Sequence, residues 1–406
     1  MDAQGHCDER FTDVAEEFER NFAERGEVGA SVAVTVAGET VVDLWGGTAD
    51  AEGHRPWEED TLCVAMSSTK GATALCAHLL AAAGQLDLDA PVATYWPEFA
   101  ANGKERVLVR HLLNHQAGLP ALREPLPPDG LYDWDDVCAR LAAEAPFWEA
   151  GTRHGYHALT FGFLVGEVVR RVSGSPIGDF WRTEVAEPLG LDLWIGLPDA
   201  EHHRVATLLA PPPPAADEPL PAFLVRVLSE PGSIPSLIML NTGGYLAPGE
   251  WDSPAALRAC IPAAGGITNA RALAGMYRAI VQDRVIGRFT LEPEDVARMG
   301  AVASAGGEDA SLSSPGRWTL GFLKAGASPL GVAPRLVVAL SEDAFGHTGN
   351  GGSIGFGDPG ADLSFGYVMN QMHADMGLAP TGQSLVDAVY RSLGYRRTKY
   401  DLWVRA

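Results

Sequence analysis

CVAMSSTKGATALCAHLL, residues 63–80, is the stretch on which the reading of this chain turns. Ser67 stands three residues before Lys70, and the apolar run that follows predicts a helix. If that helix begins at Ser67, Lys70 lies one turn further on, on the same face, with its ammonium in reach of the hydroxyl. The helix N-terminus adds unpaired N–H groups and a partial positive charge, which favour negative charge developing near Ser67. Two readings stand at this point: an activated nucleophile, or a helix start rich in small polar residues. The first makes a demand on Lys70. At the reference pKa of about 10.4, only roughly one lysine in 2500 is neutral at pH 7. Burial or neighbouring positive charge must lower it, and a depression of ~3 units corresponds to about 4 kcal/mol.

A second proton carrier eases that demand, and a phenol can both donate and accept. Tyr156 is a candidate in GTRHGYHALTFGFLVGEVV, just before an apolar helix and after Gly151 and Gly155. By position alone it is equally a packing residue at a helix start. Acyl transfer also needs two donors aimed at the developing oxyanion. GHTGNGGSIGFGDP is glycine-rich at Gly349, Gly351 and Gly352, so a substrate can lie against the backbone, while His347, Thr348 and Asn350 carry polar groups. Taken alone, it also reads as a turn between strands.

Around these segments the chain alternates in character. Phe11, Val14, Phe18 and Phe22 recur at helical spacing, and Gly26 can end that helix. GASVAVTVAGETVVDLWGG reads as two strands around a turn at Ala37-Gly38-Glu39-Thr40. From about Gly71 to Gly300 the apolar spacing is mostly helical, interrupted by LLAPPPPAADEPLPAFL, whose prolines forbid regular helix. That excursion reads either as inert linker or as a lip over a pocket. Strand signals return at RWTLGFLKAG, PRLVVALSED and GSIGFGDPGADLSFGYVMNQM, with a turn at Asp358-Pro359-Gly360. A final helix, TGQSLVDAVYRSLGY, places Leu385, Val389 and Leu393 on one stripe.

The chain has 406 residues, 46% of them hydrophobic, enough for a substantial core. With 52 acids against 30 bases and a net charge of −22, it argues against a nucleic-acid partner and favours a small or neutral substrate. Cys7, Cys63, Cys76, Cys138 and Cys260 are odd in number and lack CxxC spacing, so neither disulfide framework nor zinc site is expected. The first residues do not read as a signal peptide, and no apolar run approaches the ~20 residues of a membrane span. A cytoplasmic protein without membrane or nucleic-acid partner, and without metal or cofactor, is therefore expected; the oligomeric state is left open.

Ser67-Ser68-Thr69-Lys70 is the single S-x-x-K of the chain; Tyr156 follows it, and His347-Thr348-Gly349 comes last. In content and order this set resembles the serine β-lactamase and penicillin-binding protein superfamily, of which S-x-x-K is a signature, and within it the family VIII carboxylesterases. VRHLLNHQAGLP (residues 109–120) and GFGDP extend the resemblance over most of the chain. It implies an α/β fold of the α+β, β-lactamase/transpeptidase-like type. Residues 1–70 and 301–406 would form an antiparallel sheet region and 71–300 a mainly helical insertion, with the proline-rich excursion at about 208–250, in one catalytic unit.

By the same resemblance Ser67 is the acylated nucleophile and Lys70 and Tyr156 the proton-handling pair, with the general base open between them. The backbone N–H groups of Ser67 and Asn350 form the oxyanion hole, and His347, Thr348 and Gly349 line the substrate site. Two departures bear on substrate. Tyr156-His157-Ala158 puts Ala where many β-lactamases and D,D-peptidases carry the Asn of Y-x-N, and His347 replaces the usual Lys. A neutral imidazole grips a carboxylate less strongly than an ammonium does. A small ester or acyl compound is the expected substrate, with hydrolysis through an acyl-enzyme as the leading reading. A transacylase, a β-lactamase or D-amino-acid peptidase, and a non-catalytic binding protein remain as alternatives. His111 and His115, four apart but without an intervening acid in H-E-x-x-H, read as structural, as does the solvated pair His202-His203.

Overall fold

A computed structural model describes residues 3–212, 220–326, 338–374 and 377–406. Its sheet starts from the first hairpin. Strands β2 (Gly29–Val36) and β3 (Glu39–Gly47) are joined by Ala37 and Gly38, both at positive φ (50° and 81°). A two-residue turn of that hand matches the right-handed twist of the strands it joins. Strand β1 (Gln4–Cys7), which the sequence did not announce, adds antiparallel to the outer edge of β3. The free edge of β2 pairs with Leu363–Met369, in register from Val36 opposite Leu363 to Ala30 opposite Met369. Beyond it follow Ile354–Asp358, Phe345–Thr348, Leu323–Lys324, Arg317–Trp318 and Ser304–Ala305, giving, among the described residues, nine antiparallel strands drawn from both ends of the chain.

The alternation in GSIGFGDPG explains how this sheet is covered. Phe356 stacks on Phe365 and on Tyr390 of the C-terminal helix Pro380–Ser392. Its neighbours along the strand point the other way, where a Cβ on Gly355 would stand 2.8 Å from the Tyr277 ring. The same holds on the next strand, where a Cβ on Gly366 would stand 2.2 Å from the Ala270 carbonyl. Glycine at these positions lets helix Ala270–Arg278 lie against the sheet. Helix α1 (Thr12–Glu24) buries Val14 and Phe18 and is tied to the C-terminal helix by Asn21, whose amide donates to the Thr381 carbonyl at 3.0 Å. Both faces of β2 are covered, and its first seven residues are buried.

Helix α2 (Thr69–Ala82) is buried on all sides from Thr69 to Leu80, its polar residues Thr69, Lys70, Thr73 and His78 included. It packs against Thr160–Ser173, and one continuous core includes Phe18, Leu75, Phe163 and Phe356. The mainly helical stretch also holds strands that its periodicity hid. Leu193–Ile195 and Gly266–Thr268 join Cys63–Val64 in a three-stranded sheet immediately before Ser67. These strands are two or three residues long, too short to show a period of two.

PRLVVALSED departs from its strand expectation. Residues 334–337 lie outside the described residues, and 338–343 form only an isolated bridge between Ser341 and Trp403. Side chains supply the backbone partners there instead: Gln383 bonds both the N–H and C=O of Ala339, and Tyr390 Oη accepts from Ser341 N–H. Of the proline-rich excursion, 213–219 lie outside the described residues, and the part that follows forms two short helices, Ala222–Ser229 and Ile234–Leu240, at 80° to one another. Among the described residues no single helix is long and apolar enough to cross a membrane.

Candidate active site

Ser67 sits in the turn that leads into α2, since regular helix begins at Thr69 rather than at Ser67. The turn is sharp because Met66 adopts φ +47°, an uncommon conformation for a residue with a side chain. Its neighbours hold it there. Thr69 Oγ1 donates to the Met66 carbonyl at 2.5 Å and accepts from Gly266 N–H at 2.8 Å, while Ala65 N–H donates to the Gly266 carbonyl at 2.8 Å. The backbone of Met66 and Ser67 is thereby locked against the three-stranded sheet.

Lys70 is fully buried behind Ser67. Its Nζ lies 3.0 Å from Ser67 Oγ, 2.7 Å from the Ala158 carbonyl and 2.8 Å from the Ala263 carbonyl. No carboxylate pairs with it among the described residues. Burial therefore holds this amine well below the usual lysine range. Tyr156 is buried beside the pair and hydrogen-bonded to Ser67, with its ring centroid 4.7 Å from Lys70 Nζ. Burial raises its phenol above the ordinary tyrosine range, opposed by the bond to Ser67.

The glycine-rich strand end completes the site. Ser68 Oγ donates to the His347 carbonyl at 3.2 Å and lies 3.0 Å from Ser353 Oγ, which donates to the Ala65 carbonyl at 2.7 Å. These bonds draw the end of Phe345–Thr348 onto the Ser67 turn. Gly349 makes the approach possible: a Cβ there would stand 2.3 Å from the Ala65 carbonyl oxygen. Ser67 and Asn350 both face one cavity, and neither backbone N–H finds an acceptor among the described residues. Two donors without an acceptor, on residues that line one cavity with the Ser67 hydroxyl, are what a developing oxyanion requires.

That cavity has a volume of about 440 Å³. Ser67, Tyr156, His347, Thr348 and Asn350 are its polar lining, with Ala158 beside them. Gly349 lies behind them against Ala65. Apart from His373, the other described lining residues are apolar, with Phe223, Leu224, Ile238 and Met239 contributed by the two helices of the proline-rich excursion and Trp251 and Trp318 beside them. Among the described residues, no Asp, Glu, Lys or Arg lines it. His347 does not restore charge, because burial lowers its pKa to about 3, with the Lys70 charge acting in the same direction. No group of three or more His, Cys, Asp or Glu that could hold a metal ion occurs among the described residues.

Several neighbours were not singled out from sequence. Trp318 stacks on the Tyr156 ring at 5.1 Å and 12°. His115, set aside as structural, adopts φ +61° and meets both rings edge-on, at 4.9 Å from Tyr156 and 4.7 Å from Trp318. Its Nδ1 accepts the His157 N–H at 3.2 Å, and His157 Nε2 accepts the Leu119 N–H at 3.0 Å, so these imidazoles brace the loop carrying Tyr156. Asp309 accepts the Tyr156 N–H. Nothing in RWTLGF or GEDASL marks Trp318 or Asp309, because the segments that bring them to Tyr156 are far away in sequence.

Comparison with known proteins gives a consistent result. The Beta-lactamase family model matches residues 15–389. The esterase/beta-lactamase LipL of Mycobacterium tuberculosis is 38% identical over 373 residues, covering 91% of this chain and 83% of its own. The crystal structure of a family VIII carboxylesterase superposes with a TM-score of 0.82 at 39% identity, covering 97% of this chain and 100% of that one. A penicillin-binding protein homologue from Caulobacter crescentus gives a TM-score of 0.82 at 38% identity, with the same coverage.

Proposed function

The chain belongs to the beta-lactamase family, and from that premise we propose that it is a serine carboxylesterase cleaving small, uncharged esters through an acyl-enzyme on Ser67. The observation that carries this reading is the cavity, in which Ser67 lies among polar groups beside a mainly apolar wall, with no Asp, Glu, Lys or Arg among the described residues that line it. A substrate carboxylate entering it would lose hydration without meeting a Lys or Arg among the described lining residues, and burying an ion costs several kcal/mol. A neutral ester carries no such cost and gains from apolar burial. The esterase name of the Mycobacterium tuberculosis relative and the carboxylesterase name of the structural neighbour support the same reading.

The contacts of Lys70 are compatible with a neutral amine acting on Ser67. A neutral amine has two N–H groups and one lone pair. The Ala158 and Ala263 carbonyls can only accept, so they take the two N–H groups and leave the lone pair toward the Ser67 hydroxyl. As Ser67 Oγ bonds to the ester carbonyl carbon, its proton moves to the Lys70–Tyr156 pair, and the carbonyl oxygen becomes an oxyanion facing the N–H groups of Ser67 and Asn350. Collapse breaks the bond to the alcohol oxygen, which takes the proton from the pair and leaves. Water then attacks the acyl carbon, gives up a proton to the same pair and releases the acid, and Ser67 regains its hydrogen.

Intact-protein mass spectrometry after mixing with p-nitrophenyl butyrate, while nitrophenol release is followed, tests this reading. A transient adduct of one butyryl group on the native protein and not on Ser67→Ala, with continuing release, is expected. A Ser67→Ala variant that keeps most of its rate overturns the assignment, and β-lactam turnover at rates comparable with esters would favour the lactamase alternative.

A further inference from the structure

We propose that Asp309 is a positioning residue for this reaction: its carboxylate holds the backbone of Tyr156, and through it the phenol, in register with Ser67 and Lys70. The inference rests on Tyr156 belonging to the proton-handling pair. Asp309 is buried, 1% exposed. Its Oδ1 accepts the N–H of Tyr156 at 2.9 Å and those of Ser311 and Leu312 at 2.9 Å each, and its Oδ2 lies 3.0 Å from the same Tyr156 nitrogen.

The two bonds within its own loop are those of an ordinary Asx turn and need no functional account. The two-oxygen grip on Tyr156, 153 residues earlier in the chain, is a different matter. A buried carboxylate is costly unless paired and bonded, yet among the described residues no Lys or Arg pairs with it, and His154 Nε2 stands 3.9 Å away. The long-range group this carboxyl serves is the backbone of Tyr156. Charge-assisted bonds from backbone N–H groups are shorter and stronger than neutral ones, which suits a clamp.

The loop around Asp309 is joined to the Tyr156 segment on both sides of Gly155. Ala310 N–H donates to the His154 carbonyl at 3.2 Å, and a Cβ on Gly155 would stand 2.8 Å from the Ala310 methyl. Further along, Leu312, Pro315 and Gly316 line the cavity, and Trp318 stacks on the Tyr156 ring. One stretch of chain thus fixes Tyr156 twice, its backbone through Asp309 and its ring through Trp318. The other titratable groups around the phenol are Lys70, His115 and His347, each held toward its neutral form by burial. Asp309 acts on the same phenol through space as well as through the backbone bond.

A double-mutant cycle separates positioning from general structural support. Steady-state kinetics with p-nitrophenyl butyrate would be measured for Asp309→Ala, Tyr156→Phe and the double variant, with thermal unfolding of each. Asp309→Ala is expected to lower kcat by ~30- to 100-fold, the scale of a 1 Å misplacement, with KM within about threefold. In the Tyr156→Phe background the same change should alter kcat by less than about twofold, because the group through which Asp309 acts is gone. Asp309→Asn keeps one oxygen for the three N–H groups and should recover part of the rate; if the Ala variant does not fold, the cycle is run with Asn. Equal losses in both backgrounds, or an unchanged kcat in Asp309→Ala while Tyr156→Phe is impaired, overturn the inference and leave the esterase reading intact. Full activity in Tyr156→Phe overturns the Tyr156 assignment and the inference with it.

Discussion

Replacing Gly349 by Ala converts the site geometry into a rate. The backbone of Gly349 is not at positive φ, so the substitution adds no conformational strain, only a methyl group. That methyl carbon would stand 2.3 Å from the Ala65 carbonyl oxygen and 2.2 Å from Ser353 Oγ, about 1 Å short of the 3.4 Å at which ordinary contact begins. Neither neighbour yields freely, since Ala65 is bonded to Gly266 and Ser353 Oγ is bonded to the Ala65 carbonyl. The strand end must withdraw by about 1 Å instead, and Asn350, the next residue, moves with it. A misplacement of that size costs ~100-fold in rate, and losing one oxyanion donor costs about 10²–10³-fold. A fall in kcat of ~100-fold for p-nitrophenyl butyrate is expected, with KM within about threefold because the apolar wall is untouched. Stopped-flow acylation followed by mass spectrometry should place the loss in the formation of the acyl-enzyme. Gly38→Ala is the control, straining a turn at φ +81° far from Ser67 and lowering the unfolding temperature without changing kcat. A Gly349→Ala enzyme within threefold of the native kcat would refute the placement of the Asn350 N–H.

Two further outcomes follow from buried titrating groups. Burial favours the neutral amine of Lys70, so kcat/KM should rise with pH through that lowered pKa and level off well below the ordinary lysine value of about 10.4; a pH–rate profile still climbing through pH 10 would exclude it as the base. Glu27 is buried against Tyr367, whose hydroxyl donates to it, and burial raises its carboxyl to about 8. A pKa raised in the folded state means that stability is fully present below the unfolded carboxyl pKa of about 4.3 and is lost as pH rises toward 8. The loss by pH 7 is on the order of 3 kcal/mol. Glu27→Gln should therefore raise the unfolding temperature at pH 8 relative to native and change it little at pH 4.5, and equal shifts at both pH values would refute the linkage.

Elements with strong local signals were legible before the structure. The first hairpin was, because a Gly-containing two-residue turn sits between β-rich runs, and so were α1 and the C-terminal helix, whose apolar residues repeat at helical spacing. Very short strands such as Cys63–Val64 and Gly266–Thr268 were not, since two or three residues carry no period. The excursion after the proline run was left open between linker and lip, and its helices contribute Phe223 and Ile238 to the cavity wall. PRLVVALSED had strand composition, but its described part is engaged by side chains of the C-terminal helix instead of a neighbouring strand.

The sequence by itself determined the chemistry on offer: a serine and a lysine one helical turn apart, a tyrosine ahead of a helix, and glycines where backbone must approach backbone. Those are local facts, set by side-chain type and by the period of the helix. Whether Lys70 is stripped of water and carboxylate partners, whether two N–H groups converge on one cavity, and which residues hold Tyr156 were decided by tertiary structure alone. Desolvation and convergence arise between segments far apart in the chain, such as Lys70 with Ala263 and Tyr156 with Asp309. Short-range pattern carries no information about which of those segments will meet.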